Sequence, residues 1–150
     1  MDGLRNGGIV RRMTNASRRP LSSVHVGTAM HEGVITCGRQ APLSDVARLM
    51  TERNVHCVVV VDDEDHRCPW AIISDLDLTA AASVRLLNGQ TAGGTAATPV
   101  VMIGPDESVE RAAQLMTEHG VAHLVVADRN TFWPVGVIST LDIVREALAA

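Results

Sequence analysis

Apolar positions along the chain fall into two spacings. Leu43, Val46, Ala47 and Met50 recur at intervals of three and four, as do Val109, Ala112, Ala113 and Met116, which predicts a buried stripe on each of two helices. Residues 58–61 and 124–127 are unbroken apolar runs, the pattern of strands covered on both faces. Shorter runs at 34–36 and 100–103 read as strands ahead of each helix. Residues 70–74 and 135–139 read as strands behind polar turns at 62–66 and 128–131. Pro105 and Asp106 suit the approach to the second helix. A closing helix follows each last strand. Leu76, Ala80 and Leu87 are expected on one face of the first, and Leu141, Val144, Arg145 and Leu148 on one face of the second.

The order β-α-β-β-α thus occurs twice, and the residues repeat with it. Arg-Leu-Met-Thr-Glu at 48–52 matches Gln-Leu-Met-Thr-Glu at 114–118, an offset of 116 − 50 = 66 that also pairs Val55 with Val121 and Asp62 with Asp128. After one deletion the offset is 139 − 74 = 65, and residues 69–77 align with 134–142. The expected fold is therefore α/β (α+β), built from two pseudo-symmetric units at 26–88 and 89–150. A Gly- and Thr-containing linker at 88–94 separates the copies. Residues 1–25 show no periodicity and carry five arginines against Asp2, which reads as a disordered basic tail.

Composition narrows the chemistry. Hydrophobic residues make up 46% of the 150, enough for a sizeable core. The net charge of −4 gives no global basic excess, so nucleic acid is not the expected partner. Lysine is absent, which removes a Gly-Lys-Ser/Thr phosphate loop and any Schiff-base enzyme. Phe132, Trp70 and Trp133 are the whole aromatic complement, so a planar ligand would have to be gripped by aliphatic side chains. Cys37, Cys57 and Cys68 are odd in number and form no C-x-x-C pair, which argues against a zinc cage or a disulfide framework and for reduced, mostly buried thiols. The histidines form no i, i+4 pair on a helix, and no metal site is expected; His66 and Cys68 in the acidic turn read as solvated. The most apolar run, 58–61, is far too short to span a bilayer, and no signal-peptide pattern opens the chain, so a cytoplasmic setting is expected.

The clearest repeated signature is a strand that ends in Ser, then two residues, then Asp, at the start of a helix. It occurs as Ser74-Asp75-Leu76-Asp77 and as Ser139-Thr140-Leu141-Asp142. A carboxylate there can accept hydrogen bonds from ribose hydroxyls, and a serine hydroxyl with free helix-start amides suits a phosphate. The same four residues are equally a capping box, which only satisfies the orphan amides of the helix.

The repeated element order, the Leu-Met-Thr-Glu helix and the Gly-Val-Ile-Ser-x-x-Asp ending resemble a tandem pair of cystathionine-β-synthase (CBS) domains, the Bateman module, over about residues 26–149. The resemblance implies two copies packed sheet to sheet about a pseudo-twofold axis, with two clefts between them that take adenosine-containing ligands. One cleft would combine Val137, Ser139 and Asp142 with Gly33, Ile35, Val55 and His56. The other would combine Ile72, Ser74 and Asp77 with Pro99, Val101, Val121 and Ala122. His56 and His123, just before the second strand of each copy, stand where basic residues of the family can face ligand phosphates. Two features depart from the family pattern: Leu76 and Leu141 stand where a basic residue is common, and Ala71 stands where the second copy has Gly136.

The implied function is a non-catalytic sensor for AMP, ADP, ATP or S-adenosylmethionine as regulatory ligand, with no cofactor required. A homodimer is expected, formed through the helices at 43–53 and 108–119 and the closing helices. Two alternatives stay open: a nucleic-acid-associated regulator that uses the arginine tail, and a protein-interaction module with empty clefts.

Overall fold

The computed structural model describes residues 19–85, 87–96 and 98–150. Most of the expected basic tail, residues 1–18, lies outside the described residues. A short 3-10 turn at Leu21–Ser23 leads into α1 (Val26–Ala29), β1 (His31–Glu32), β2 (Thr36–Gly38), α2 (Leu43–Arg53), β3 (Cys57–Val61), β4 (Pro69–Ser74) and α3 (Asp75–Ser83). The second copy runs α4 (Ala92–Thr95), β5 (Thr98–Pro99), β6 (Met102–Ile103), α5 (Val109–His119), β7 (His123–Ala127), β8 (Pro134–Ser139) and α6 (Thr140–Ala149).

Two four-stranded sheets result, ordered β2-β3-β4-β5 and β1-β8-β7-β6. The copies exchange their first strands. His31 and Glu32 pair with Val137 and Gly136 of the second copy, while Pro99 and Thr98 pair with Ala71 and Ile72 of the first. The helical turns beside these strands cross over too. Val26 is fully buried in the second copy's core, and Ala92, inside the expected linker, is fully buried in the first's.

The unbroken runs serve two layers. Val58 and Val60 point to the helix side, where Leu43, Val46 and Met50 of α2 cover them. Val59 and Val61 point the other way and meet Ile72 and Val125 between the sheets. This alternation is the period-two geometry of a strand. Each fully buried aliphatic side chain contributes roughly 1.5–3 kcal/mol relative to exposure. The two amphipathic helices end alike, at Asn54 (φ 51°) and Gly120 (φ 64°), in the left-handed conformation that returns an amide to the last turn. Ser108 caps the start of α5 by accepting from the Arg111 amide at 3.1 Å.

Three expectations need correction. The early strands begin two residues late, at Thr36 and Met102, because Val34 and Val100 cross between the sheets and pack against the inter-sheet core. Ordered packing starts before residue 26: Leu21 and Val24 cover the second core, and the Val109 amide donates to the Val24 carbonyl at 2.8 Å. The closing helices are turned the other way. Leu76, Leu141, Val144 and Leu148 are 74%, 52%, 51% and 80% exposed, while Leu78 and Ile143 pack inward. Leu87 lies past the end of α3, on the first core.

Candidate functional site

The two Ser-x-x-Asp segments adopt one geometry. In the second copy the Ser139 amide and hydroxyl donate to Asp142 Oδ2 at 2.8 and 2.9 Å, and Ser139 Oγ accepts from the Asp142 amide at 3.4 Å. In the first the matching distances for Ser74 and Asp77 are 2.7, 2.9 and 3.3 Å. Both are complete capping boxes. The box explains the rotation of the closing helices. It draws the third helical residue inward, so the second, Leu76 or Leu141, is carried about 100° round to the outside.

The two carboxylates differ in what else they hold. Asp142 is only 3% exposed, and its other oxygen, Oδ1, lies 3.3 Å from Arg145 and 3.4 Å from His31 Nδ1. His31 comes from the other copy, on β1. It is the residue that sequence reasoning missed, and its one available signal was its place two positions before Gly33. Among the described residues Asp77 has no matching partner for its outer oxygen.

Strand exchange brings one predicted set partly together. The Gly33 amide donates to the Val135 carbonyl at 2.9 Å, at the start of the strand that ends in Ser139. Gly33 has φ 82°, and a Cβ built there would meet no atom within 4 Å, so open space adjoins it. Val137 lines the inter-sheet layer beside Val34. Ile35 and Val55 pack against the first copy's core instead. His56 binds a different motif from the one expected: its Nδ1 lies 2.9 Å from Asp75 Oδ2, and its carbonyl accepts from the Asp75 amide at 2.9 Å. In the second copy Ala122 and Thr140 keep the backbone bond, at 3.0 Å, without the side-chain pair.

In the other set, Ile72 is 1% exposed between the sheets and Val121 is 9% exposed under α5, so neither offers a free side-chain surface to a base. Val101 also packs on the second core, and its carbonyl accepts from Val125 at 3.0 Å. Pro99 and Ala122 are exposed, Pro99 opposite Ala71.

The two motifs converge electrostatically on His123, the residue paired with Ser139 in the sheet. Burial pushes His123 below the ordinary histidine value of 6.5; the carboxylates of Asp75, Asp142 and Asp77 pull it up, and the His56 ring pushes it down. The His123 ring thus lies within electrostatic reach of two helix starts, each with a carboxylate and a serine hydroxyl. That arrangement can present hydrogen-bond acceptors to sugar hydroxyls and helix-start amides to an anion. Among the described residues no group of three or more His, Cys, Asp or Glu side chains could hold a metal ion.

Comparison with known proteins bears on this arrangement. The curated CBS domain-containing protein YhcV of Bacillus subtilis is 27% identical over 119 residues, 79% of this chain and 81% of that one. Among solved structures, the CBS domain protein PAE2072 from Pyrobaculum aerophilum complexed with AMP superimposes with a TM-score of 0.73 at 23% identity, over 85% of this chain and 100% of that one. The CBS domain pair of MJ0100 in complex with 5′-methylthioadenosine and S-adenosyl-L-methionine gives 0.71 at 21% identity, over 81% and 94%. The CBS domain of a bacterial CNNM/CorC family Mg2+ transporter in complex with ATP gives 0.73 at 17%, over 86% and 90%. The sequence profile of the CBS domain matches residues 25–84 and again 95–149, one match for each copy, and the chain belongs to the CBS domain family as a pair of such domains.

Proposed function

We propose that this chain is a non-catalytic regulatory module that binds an adenosine-containing ligand between its two repeats, in a cytoplasmic setting. The observation that carries the reading is the exchange of β1. It sets His31 of one copy 3.4 Å from Asp142 of the other, and Gly33 against Val135 at the start of the strand that ends in Ser139, so that a ligand there would touch both copies and report on how they sit together. Solved structures of the same fold hold AMP, S-adenosylmethionine with methylthioadenosine, or ATP, which supports the ligand class. In the proposed cleft Asp142 Oδ1 exchanges Arg145 and His31 for a ribose hydroxyl. Both partners are more than half exposed and free to swing away. Titration calorimetry against AMP, ADP, ATP, S-adenosylmethionine and NAD tests the reading, with mass spectrometry of small molecules released from natively purified protein beside it. Saturable heat with at least one of them is expected. Silence across the panel, with nothing released, overturns the reading and leaves the nucleic-acid-associated regulator and the interaction module with empty clefts.

The second copy of this chain is the proposed partner for the closing helices. Leu141, Val144 and Leu148 form an exposed stripe on α6, and Leu76 lies exposed on α3. Stripes of this size at i, i+3 and i+7 suit helix-to-helix burial in a homodimer. Light scattering checks it: a monomer at tens of micromolar, roughly where a specific interface persists, is the result that defeats it.

A further inference from the structure

A cavity of about 710 Å³ opens away from the helix starts. It opens at the opposite end of the sheets, between the β3–β4 turn and the β7–β8 turn, and is lined by Asp65, Arg67, Cys68, Met102, Phe132 and Trp133 among others. Phe132, Trp133 and Met102 are 65%, 51% and 44% exposed there. Trp70, 38% exposed, stands at the foot of the β3–β4 turn, so all three aromatic residues of the chain gather at this end. The turns at this end are acidic on balance: Asp62, Asp63, Glu64 and Asp65 follow one another in the first, of which Asp65 lines the cavity 3.3 Å from Arg67, and Asp128 opens the second.

An aromatic floor with a carboxylate rim is a site for guanidinium groups, which stack on rings and pair with carboxylates at once. The molecule already makes one such contact: Arg39 lies 4.4 Å over the Trp70 ring, with its NH1 3.9 Å from Asp62. Trp133 and Phe132 have the same chemistry without an arginine above them among the described residues.

We propose that the occupant of this cavity is the chain's own segment 1–18. Its sequence carries Arg5, Arg11, Arg12 and Arg18 against Asp2, and Leu4, Ile9, Val10 and Met13 between them. Arginines meet the acidic rim and the rings, and aliphatic side chains cover Phe132 and Met102. The attachment point is on the correct side. His25 bridges Ser108 at the start of α5, the neighbouring Glu107 pairs with Arg129 at 2.6 Å, and Arg129 sits in the turn that carries Phe132. Eighteen residues reach up to about 60 Å when extended, more than this path needs.

Trp133 lines the cavity, Trp70 stands at the same end under Arg39, and the segment has no aromatic residue, so intrinsic fluorescence reports on this end of the molecule. The experiment compares acrylamide quenching of the full chain with that of the full chain carrying Arg5→Gln, Arg11→Gln, Arg12→Gln and Arg18→Gln. A roughly twofold rise in the quenching constant and a red-shifted emission are expected in the variant, from loss of the stacked, screened cover. A synthetic peptide of residues 1–18 reverses both saturably, and salt at 1 M, where charges are screened beyond about 3 Å, abolishes the reversal. Asp65→Asn in the otherwise wild-type chain raises quenching in the same direction. Identical quenching in wild type and the arginine variant overturns the proposal, as does a peptide without effect. Protection that survives the arginine substitutions and grows with protein concentration also overturns it, in favour of a second copy as the cover.

Discussion

Gly136 lies directly beneath the carbonyl oxygen of His31. A Cβ built at 136 would collide with that oxygen and come within 2.7 Å of Met30 Sδ. The glycine is required by the crossing of β1 over β8, where Glu32 stands opposite it in register. The matching residue of the first copy, Ala71, keeps its methyl group opposite Pro99 of β5.

Gly136→Ala should therefore destabilise the fold by about 1–3 kcal/mol, the cost of overpacking where backbone has to move. Ala71→Gly should cost only about 0.5–1 kcal/mol, from chain entropy. Urea unfolding of the two variants checks the contrast. Equal small losses would mean that β1 shifts away freely and does not hold the copies together.

The two motif aspartates should separate stability from binding. Asp142→Ala leaves the Ser139 amide and hydroxyl without a partner under a nearly closed surface and should cost roughly 1–3 kcal/mol of stability. Asp77→Ala, with its carboxylate only partly buried and no second set of partners among the described residues, should cost about 1 kcal/mol, the ordinary value of a cap. If the cleft binds as proposed, Asp142→Ala also weakens the adenosine ligand by about 1.5–3 kcal/mol. A stability loss with unchanged affinity in calorimetry would show that the box does nothing but cap.

The duplication made most of the fold legible. The offset of 66 located α2 with α5 and β3 with β7, because long amphipathic stripes and four-residue apolar runs survive in both copies. The exchanged strands were not legible. His31–Glu32 and Thr98–Pro99 have two residues each and no apolar alternation, and their pairing is set by how the copies dock. The face of α6 was misread for a related reason. Leu141, Val144 and Leu148 make a regular stripe, but periodicity cannot say which side is inside, and the inward pull of Asp142 decides it. Within the site, the Ser-x-x-Asp boxes were visible as a motif. The link from His31 to Asp142 was not, because 111 residues separate two groups that only strand exchange brings together.

The cysteines should differ sharply in reactivity. Burial pushes the Cys37 and Cys57 thiols up to about 11, with the Asp75 carboxylate adding to the effect on Cys57, so both stay protonated at neutral pH. Cys68 is exposed on the β3–β4 turn, against the expectation of burial for most of the thiols. Iodoacetamide at pH 8 should label Cys68 quickly and the other two only on unfolding, as peptide mass spectrometry will show. Fast labelling of Cys57 in the native protein would place it outside the inter-sheet layer.

His123 gives the fold an acid-sensitive joint. Its value is lowered in the folded protein, chiefly by burial, so the unfolded chain binds the proton more readily. Its contribution is therefore fully present above about 6.5 and declines as pH falls below that value towards the lowered folded one. Thermal unfolding between pH 7.5 and 5 should show falling stability, and His123→Gln should flatten that part of the curve. An unchanged slope in the variant would assign the acid sensitivity to other groups.

The last prediction is that the two clefts are unequal, with the one on Ser139 and Asp142 favoured by phosphate-bearing ligands. The residue after the cap is Thr140 in α6 and Asp75 in α3, so only the first copy sets a carboxylate beside the helix-start amides where a phosphate would lie. Two unit charges about 6 Å apart repel by roughly 2–3 kcal/mol at an effective dielectric near 20. Asp75 is 59% exposed and bonded to His56, so screening brings the penalty nearer about 1 kcal/mol, a fivefold difference in affinity. The Gly136 and Ala71 contrast adds nothing here, because it belongs to the strand crossing. ATP should thus favour the Ser139 cleft about fivefold, while adenosine, which has no phosphate, should discriminate less. Asp75→Asn should strengthen ATP binding in the Ser74 cleft and leave adenosine unchanged. Calorimetry of both ligands on wild type, Asp75→Asn and Asp142→Ala resolves the two sites. Equal ATP affinities in the wild type, or no gain from Asp75→Asn, would mean that the cleft reads the sugar and base and is indifferent to this carboxylate.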